Sequence, residues 1–113
     1  MAQPYFDKLT RLVTTLELAQ SSPKPVVIKH FFSGAALYIG PQLCVSWSPG
    51  GLAFRLPPER VTALINSGRA QPLRYFAQGH VKKGYAAFLD VEHLPPAAWQ
   101  PYFQAALAWS QQR

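Results

Sequence analysis

The side chains that could perform acid–base, nucleophilic or metal chemistry are few in this sequence and widely spaced. Asp90 and Glu92 are separated by one residue, so on a strand they would point to the same side. Such a pair is one requirement of hydrolytic chemistry, but it is equally typical of charges near a strand end. The remaining candidates, three histidines and one cysteine, have spacings that match no zinc motif: His30, Cys44, His80 and His93.

Cys44 lies in an alternating pattern typical of a half-buried strand. A nucleophilic thiol needs a neighbouring base or cation, which here would have to be His30 or His80 brought close by the fold. Gly50-Gly51 is typical of a hairpin turn, and no phosphate-binding glycine motif occurs. We therefore predict a protein that is not an enzyme and has no catalytic, cofactor-binding or metal-binding residues.

Charge is the most informative feature of the chain. It contains 11 basic and 5 acidic residues among 113, a net charge of +6. Residues 69–89 contain four basic residues and no acidic one, and tyrosines lie among them. Cations contact phosphates and exposed aromatic rings stack on bases, so this segment could bind nucleic acid or an acidic protein. The predicted partner or nucleic-acid surface consists of Arg69, Arg74, Tyr75, Lys82, Lys83 and Tyr85. The alternative is a solvated hairpin whose aromatic side chains belong to the core.

Hydrophobic periodicity predicts the elements that would position this surface. Helical spacing of apolar residues occurs over residues 5–19, 58–67 and 96–111. Six short β-rich segments, 26–32, 35–39, 43–47, 52–56, 73–76 and 84–90, are separated by turn residues. Short turns force neighbouring strands to be antiparallel. We predict a two-layer α+β fold of order α-β-β-β-β-α-β-β-α, with helices on one face of an antiparallel sheet and the other face partly solvated or bound to a partner.

Length and composition predict one domain spanning residues 1–113. The last helix carries an aromatic stripe that we expect in the core, with Trp109 its most exposed member. No apolar run has the length of a membrane span, and no secretory signal pattern is visible. We therefore expect a cytoplasmic protein without membrane contact.

The segment Lys29–Ile39, KHFFSGAALYI, resembles the opening motif of the TfoX amino-terminal domain family. The hairpin of residues 43–56, the basic and aromatic segment LRYF with KKGY, and the closing helix are similar to later parts of that family. The resemblance covers about residues 5–110. It departs at the first turn, where the family usually has a Gly-Gly pair and a further glycine, while this chain has Gly34 between Ser33 and Ala35.

The resemblance implies an α+β fold with an antiparallel sheet. It also implies a link to bacterial competence regulators, which act at promoters with the cyclic-AMP receptor protein. We expect only the amino-terminal domain of such a regulator here. The expected function is a non-enzymatic regulatory or interaction module, a transcription co-regulator that contacts a protein partner and makes auxiliary contacts with DNA phosphates. The alternatives are a small ligand-binding or enzymatic domain with a cleft near Cys44, and a purely structural homodimer.

Overall fold

The computed structural model describes residues 3–22, 24–74 and 79–112, and it has the predicted α+β architecture. The element order follows the prediction, with one additional short helix and two 3-10 turns. The helices are α1 (Gln3–Thr15), α2 (Leu18–Ser21), α3 (Pro58–Asn66) and α4 (Gln100–Gln111). The strands are β1 (Val26–Phe31), β2 (Gly34–Ile39), β3 (Gln42–Ser48), β4 (Gly51–Arg55), β5 (Gln71–Leu73) and β6 (Lys82–Phe88).

The six strands form one antiparallel sheet in the order β1-β2-β3-β4-β6-β5. The first four strands are consecutive neighbours because each is joined to the next by a tight turn. Helix α3 then carries the chain away from β4, so that β5 lies at the edge and β6 returns to pair with β4. The hairpin of β5 and β6 is thereby placed beside α3.

The main hydrophobic core lies between the sheet and the helices. Helices α1 and α4 pack on the central strands β2 and β3, and α3 packs on β5 and β6. Phe54 of β4 is fully buried, with its ring centroid 5.0 Å from that of Phe103 and 5.5 Å from that of Tyr102. Trp99 and Phe88 complete this aromatic cluster. The aromatic stripe of the last helix is therefore core, as predicted, and Trp109 is half-buried.

The opposite face of the sheet is partly buried. Ala53, Tyr85 and Ala87 alternate with core residues along β4 and β6, so they point away from the main core. With Leu73 they form a second buried cluster, against which Leu43 packs. This part of the second face is therefore buried, whereas Val27 and Lys29 of β1 are exposed.

Two element boundaries differ from the predictions, one at the end of the first helix and one at the end of β6. The first helix stops at Thr15, because Glu17 adopts a left-handed φ of 53° before α2 begins. Strand β6 ends at Phe88, and the chain then forms a 3-10 turn at Val91–His93. Asp90 and Glu92 therefore do not project together from a strand. No described helix is long and apolar enough to cross a membrane.

Candidate interaction surface

The β5–β6 hairpin places three of the four predicted basic residues together. Leu73 of β5 pairs with Lys82 of β6, so Arg74, which directly follows β5, and Lys83, the second residue of β6, are each one residue away from this pair. The three basic side chains are exposed. The Arg74 guanidinium donates a hydrogen bond to the Gly79 carbonyl at 2.8 Å, which ties the two sides of the hairpin together. We call Arg74, Lys82 and Lys83 the cationic hairpin.

Among the described residues, none of the three cations of the cationic hairpin forms an ion pair with an acidic side chain. Residues 60–89 contain no aspartate or glutamate. Within the described ranges, the one ion pair joins Lys8 to Glu92, at 2.9 Å between Nζ and Oε1, and it lies elsewhere on the surface. The three cations are therefore available to an acidic partner.

Two glycines determine where the cationic hairpin lies. The carbonyl oxygen of Arg74 is only 2.3 Å from the position that a Cβ on Gly50 would occupy, so the hairpin backbone packs against the β3–β4 turn. At the other end, Gly84 has a φ of 89°, a left-handed value that L side chains rarely adopt. Its carbonyl accepts a hydrogen bond from the Leu56 amide at 3.2 Å. The hairpin is thus fixed to β4 at one end and to the β3–β4 turn at the other.

A groove of about 300 Å³ lies between α3 and the start of β6. One wall is a single side of α3, since its members follow helical spacing: Pro58, Val61, Thr62 and Ile65. The other wall is formed by Pro72 and by residues 81–85, which include Lys82 and Lys83. Val81 is 39% exposed at this wall. The groove is therefore mainly apolar, with two lysines along one side.

Sequence reasoning missed this groove. The predicted helix over residues 58–67 contains Val61 and Ile65, but helical spacing alone does not show that they line a groove, and Val81 lies outside every predicted element. Val61 is buried but still lines the groove, and Ile65 is only half-buried. The available signal was an apolar valine directly before a lysine pair.

Arg69 lies apart from the cationic hairpin. It follows α3 and precedes Gln71, which pairs with Ala87 near the end of β6, whereas Lys82 and Lys83 begin that strand. Arg69 lines a separate cavity of about 360 Å³ together with Asp90 and His93. The predicted surface thus divides into a group of three cations and a single remote one.

The two tyrosines of the predicted surface have different outcomes. Tyr85 is 6% exposed and packs in the second buried cluster, so its ring is not available to stack on a base. This corrects the prediction, and the reason is the alternation along β6, which directs Tyr85 to the same side as Ala87. Tyr75 lies outside the described residues.

Cys44 is a fully buried thiol and not part of a cleft. Its side chain has no exposed surface among the described residues, and its Sγ lies 3.7 Å from the Gln42 carbonyl oxygen. Burial raises the pKa of the Cys44 thiol, and the neighbouring Ser110 hydroxyl and Arg55 guanidinium only partly offset this. A raised pKa leaves little thiolate at neutral pH, which disfavours nucleophilic chemistry.

The three histidines lie in different parts of the fold: His30 in β1, His80 just before β6 and His93 after β6. The His30 ring stacks on Phe6 with centroids 4.5 Å apart, and His93 lies in the 3-10 turn after β6. Among the described residues, no group of three metal-ligating side chains is close enough to hold an ion.

A further cleft lies between α1 and the 3-10 turns Val91–His93 and Pro96–Trp99. It has a volume of about 180 Å³, and Trp47 and Trp99 are among its lining residues. Lys8 crosses it, with its ammonium 5.7 Å from the Trp47 ring centroid and paired to Glu92. This cation is therefore already engaged.

The fold and the surface together define an α+β domain that presents an exposed cationic hairpin beside an apolar groove. No family model, curated protein or solved structure matches this chain.

Proposed function

We propose that this protein is a non-enzymatic regulatory interaction module that contacts a transcription regulator through its cationic hairpin. The observation that carries the proposal is the grouping of Arg74, Lys82 and Lys83, three exposed cations on one anchored hairpin that form no ion pair with the acidic side chains the structure describes. The resemblance to the TfoX amino-terminal domain supports a transcriptional role and points to the cyclic-AMP receptor protein as the first partner to test.

The geometry favours contact with a protein over direct reading of DNA. Helix α3 has nine residues, so it is about 13 Å long, and Arg60 is its only basic residue. Its Val61 and Leu64 are buried against the sheet, so the helix is not free to enter a major groove as a recognition helix does. The cationic hairpin adds phosphate contacts without base readout.

Binding to labelled duplex DNA across a salt series, with and without the cyclic-AMP receptor protein, tests this proposal. Each phosphate contact contributes about 0.9 to the slope of log affinity against log salt, so three hairpin cations give a slope of about −2.7 and four cations would give about −3.6. We expect weak binding of the protein alone. We expect tighter association when the regulator is present on its DNA.

Charge reversal identifies the surface responsible. Lys82→Glu with Lys83→Glu should abolish the regulator-dependent association, because it replaces two hairpin cations by anions. The matched control, Lys24→Glu with Arg69→Glu, makes the same charge change at exposed positions remote from the hairpin, and it should retain the association. Equal losses in both double variants would overturn the proposal, as would tight DNA binding that needs no regulator. Thermal unfolding of both variants verifies that they fold.

A further inference from the structure

We propose that the groove between α3 and the start of β6 binds a short acidic, amphipathic segment of a partner protein. The inference rests on the proposed function and specifies the partner chemistry at the same surface. It adds an apolar contact to the electrostatic one. The cationic hairpin supplies the charge, and the groove beside it supplies a place for an apolar anchor.

The shape of the groove fits a short peptide. Its α3 wall is about 13 Å long, which corresponds to roughly two helical turns or four extended residues of a bound segment. Val61 and Ile65 form its apolar side on α3, and Val81 faces them from the start of β6. A groove walled by one side of a helix and lined by apolar side chains is typical of sites that accept amphipathic segments.

Val81 supplies an exposed apolar side chain in the groove lining. Its side chain is 39% exposed although valine is a residue type that usually lies inside. An apolar side chain of a partner would remove this surface from water, which is favourable in proportion to the area covered. Val81 also directly precedes Lys82, so the apolar anchor and the charge contact would be adjacent.

The lysines determine which segments the groove accepts. Lys82 and Lys83 line it, and none of its described lining residues is acidic. A segment with carboxylates beside its apolar residues meets complementary charge, while a basic segment is repelled. Nucleic acid is disfavoured because the one aromatic residue in the described lining, Tyr85, is buried and has no ring face to offer a base.

Fluorescence anisotropy with three labelled peptides of about 12 residues tests the inference, since helix-in-groove ligands need a few turns of anchors. The first peptide carries leucines at helical spacing among aspartates and glutamates. The second keeps the leucines and has asparagine and glutamine in place of the acids. The third keeps the acids and has serine in place of the leucines. We expect only the first peptide to bind clearly, with each of the others at least fivefold weaker.

Protein variants locate the site. Val81→Ser should weaken the first peptide about tenfold, because it removes apolar contact at an exposed position. Lys82→Gln with Lys83→Gln should weaken it roughly fivefold, as expected for two exposed charge contacts. The control Lys24→Gln with Arg69→Gln, which removes two remote cations, should bind as the unaltered protein does. Thermal unfolding checks that each variant folds.

Three results would overturn the inference. The first is no binding of the first peptide, and the second is binding of the third peptide as tight as that of the first. The third is displacement of the first peptide by a single-stranded oligonucleotide of the same net charge. Each of these is separable from the proposed function. If regulator-dependent association still requires Lys82 and Lys83 while the peptide does not bind, the interaction module remains and only the groove assignment fails. If the peptide binds and the regulator does not, the groove stands and the partner named first is wrong.

Discussion

Replacement of Gly50 by alanine tests how the cationic hairpin is anchored, without altering any of its charges. The new Cβ would lie 2.3 Å from the Arg74 carbonyl oxygen, whereas ordinary van der Waals contact begins at 3.4 Å. The turn and the hairpin must therefore separate by about 1.1 Å. The backbone fixes the position of a Cβ, and the atom it meets is a backbone carbonyl oxygen, so no side-chain rotation can relieve the clash.

Two opposing effects decide the change in stability. Alanine restricts the unfolded chain, which would stabilise the protein by about 0.4–1 kcal/mol if the native backbone accepted it without strain. Overpacking against a fixed backbone costs about 1–3 kcal/mol. We expect the clash to dominate and Gly50→Ala to lower the free energy of unfolding by about 1–2 kcal/mol, or Tm by roughly 5–10 °C for a domain of this size.

Chemical denaturation measures the loss of stability, and backbone amide NMR shifts show where the structure moves. The amides of Arg74, Lys82 and Lys83 should shift, while those of β1 should not. The control is Gly40→Ala, whose Cβ would meet open space but whose φ of 57° is left-handed. This variant should cost about 1–2 kcal/mol through backbone strain alone and leave the hairpin amides unchanged. Unchanged hairpin amides in Gly50→Ala, whatever its stability, would refute the anchoring argument.

Four further predictions concern the core and the surface outside the hairpin. Phe54→Ala should lower the free energy of unfolding by about 3–5 kcal/mol in denaturant titrations, because it removes a fully buried ring from the aromatic cluster; a loss below about 1 kcal/mol would contradict that packing. The Cys44 thiol should react with a thiol reagent only on unfolding, and fast labelling of the native protein would show that it is accessible. Burial raises the folded-state pKa of the Cys44 thiol above its ordinary value of 9.0. The contribution of the neutral thiol to the free energy of unfolding is therefore complete below that pH, and the free energy of unfolding should fall as the pH rises above it. The fall should be less steep in Cys44→Ala. Lys8→Met and Glu92→Gln, combined in a double-mutant cycle, should give a coupling free energy of about 0.2–1 kcal/mol, because both side chains are exposed at the surface. A coupling free energy above about 2 kcal/mol would mean that the ion pair is better shielded from water than its exposure indicates.

The predicted surface illustrates why charge alone does not define a site. In the sequence, Arg69 is nearer to Arg74 than Lys82 is. In the structure Arg74 lies beside Lys82, because Leu73 pairs with that residue, and Arg69 remains with the far end of β6. The groove could not be predicted for the same reason, since its two walls come from α3 and from the start of β6, which are distant in sequence.

Local pattern by itself determined the order of the main elements, the placement of the last helix's aromatic stripe in the core and the acid-free stretch around the hairpin. These follow from periods of 3.6 and 2 residues and from turn chemistry, which depend only on near neighbours along the chain. The tertiary structure alone decided that Tyr85 is buried, that Cys44 is enclosed and that three cations share one hairpin. These outcomes depend on which strands pair, because the return of β6 beside β4 sets the face of Tyr85 and the position of Lys82 and Lys83 beside α3.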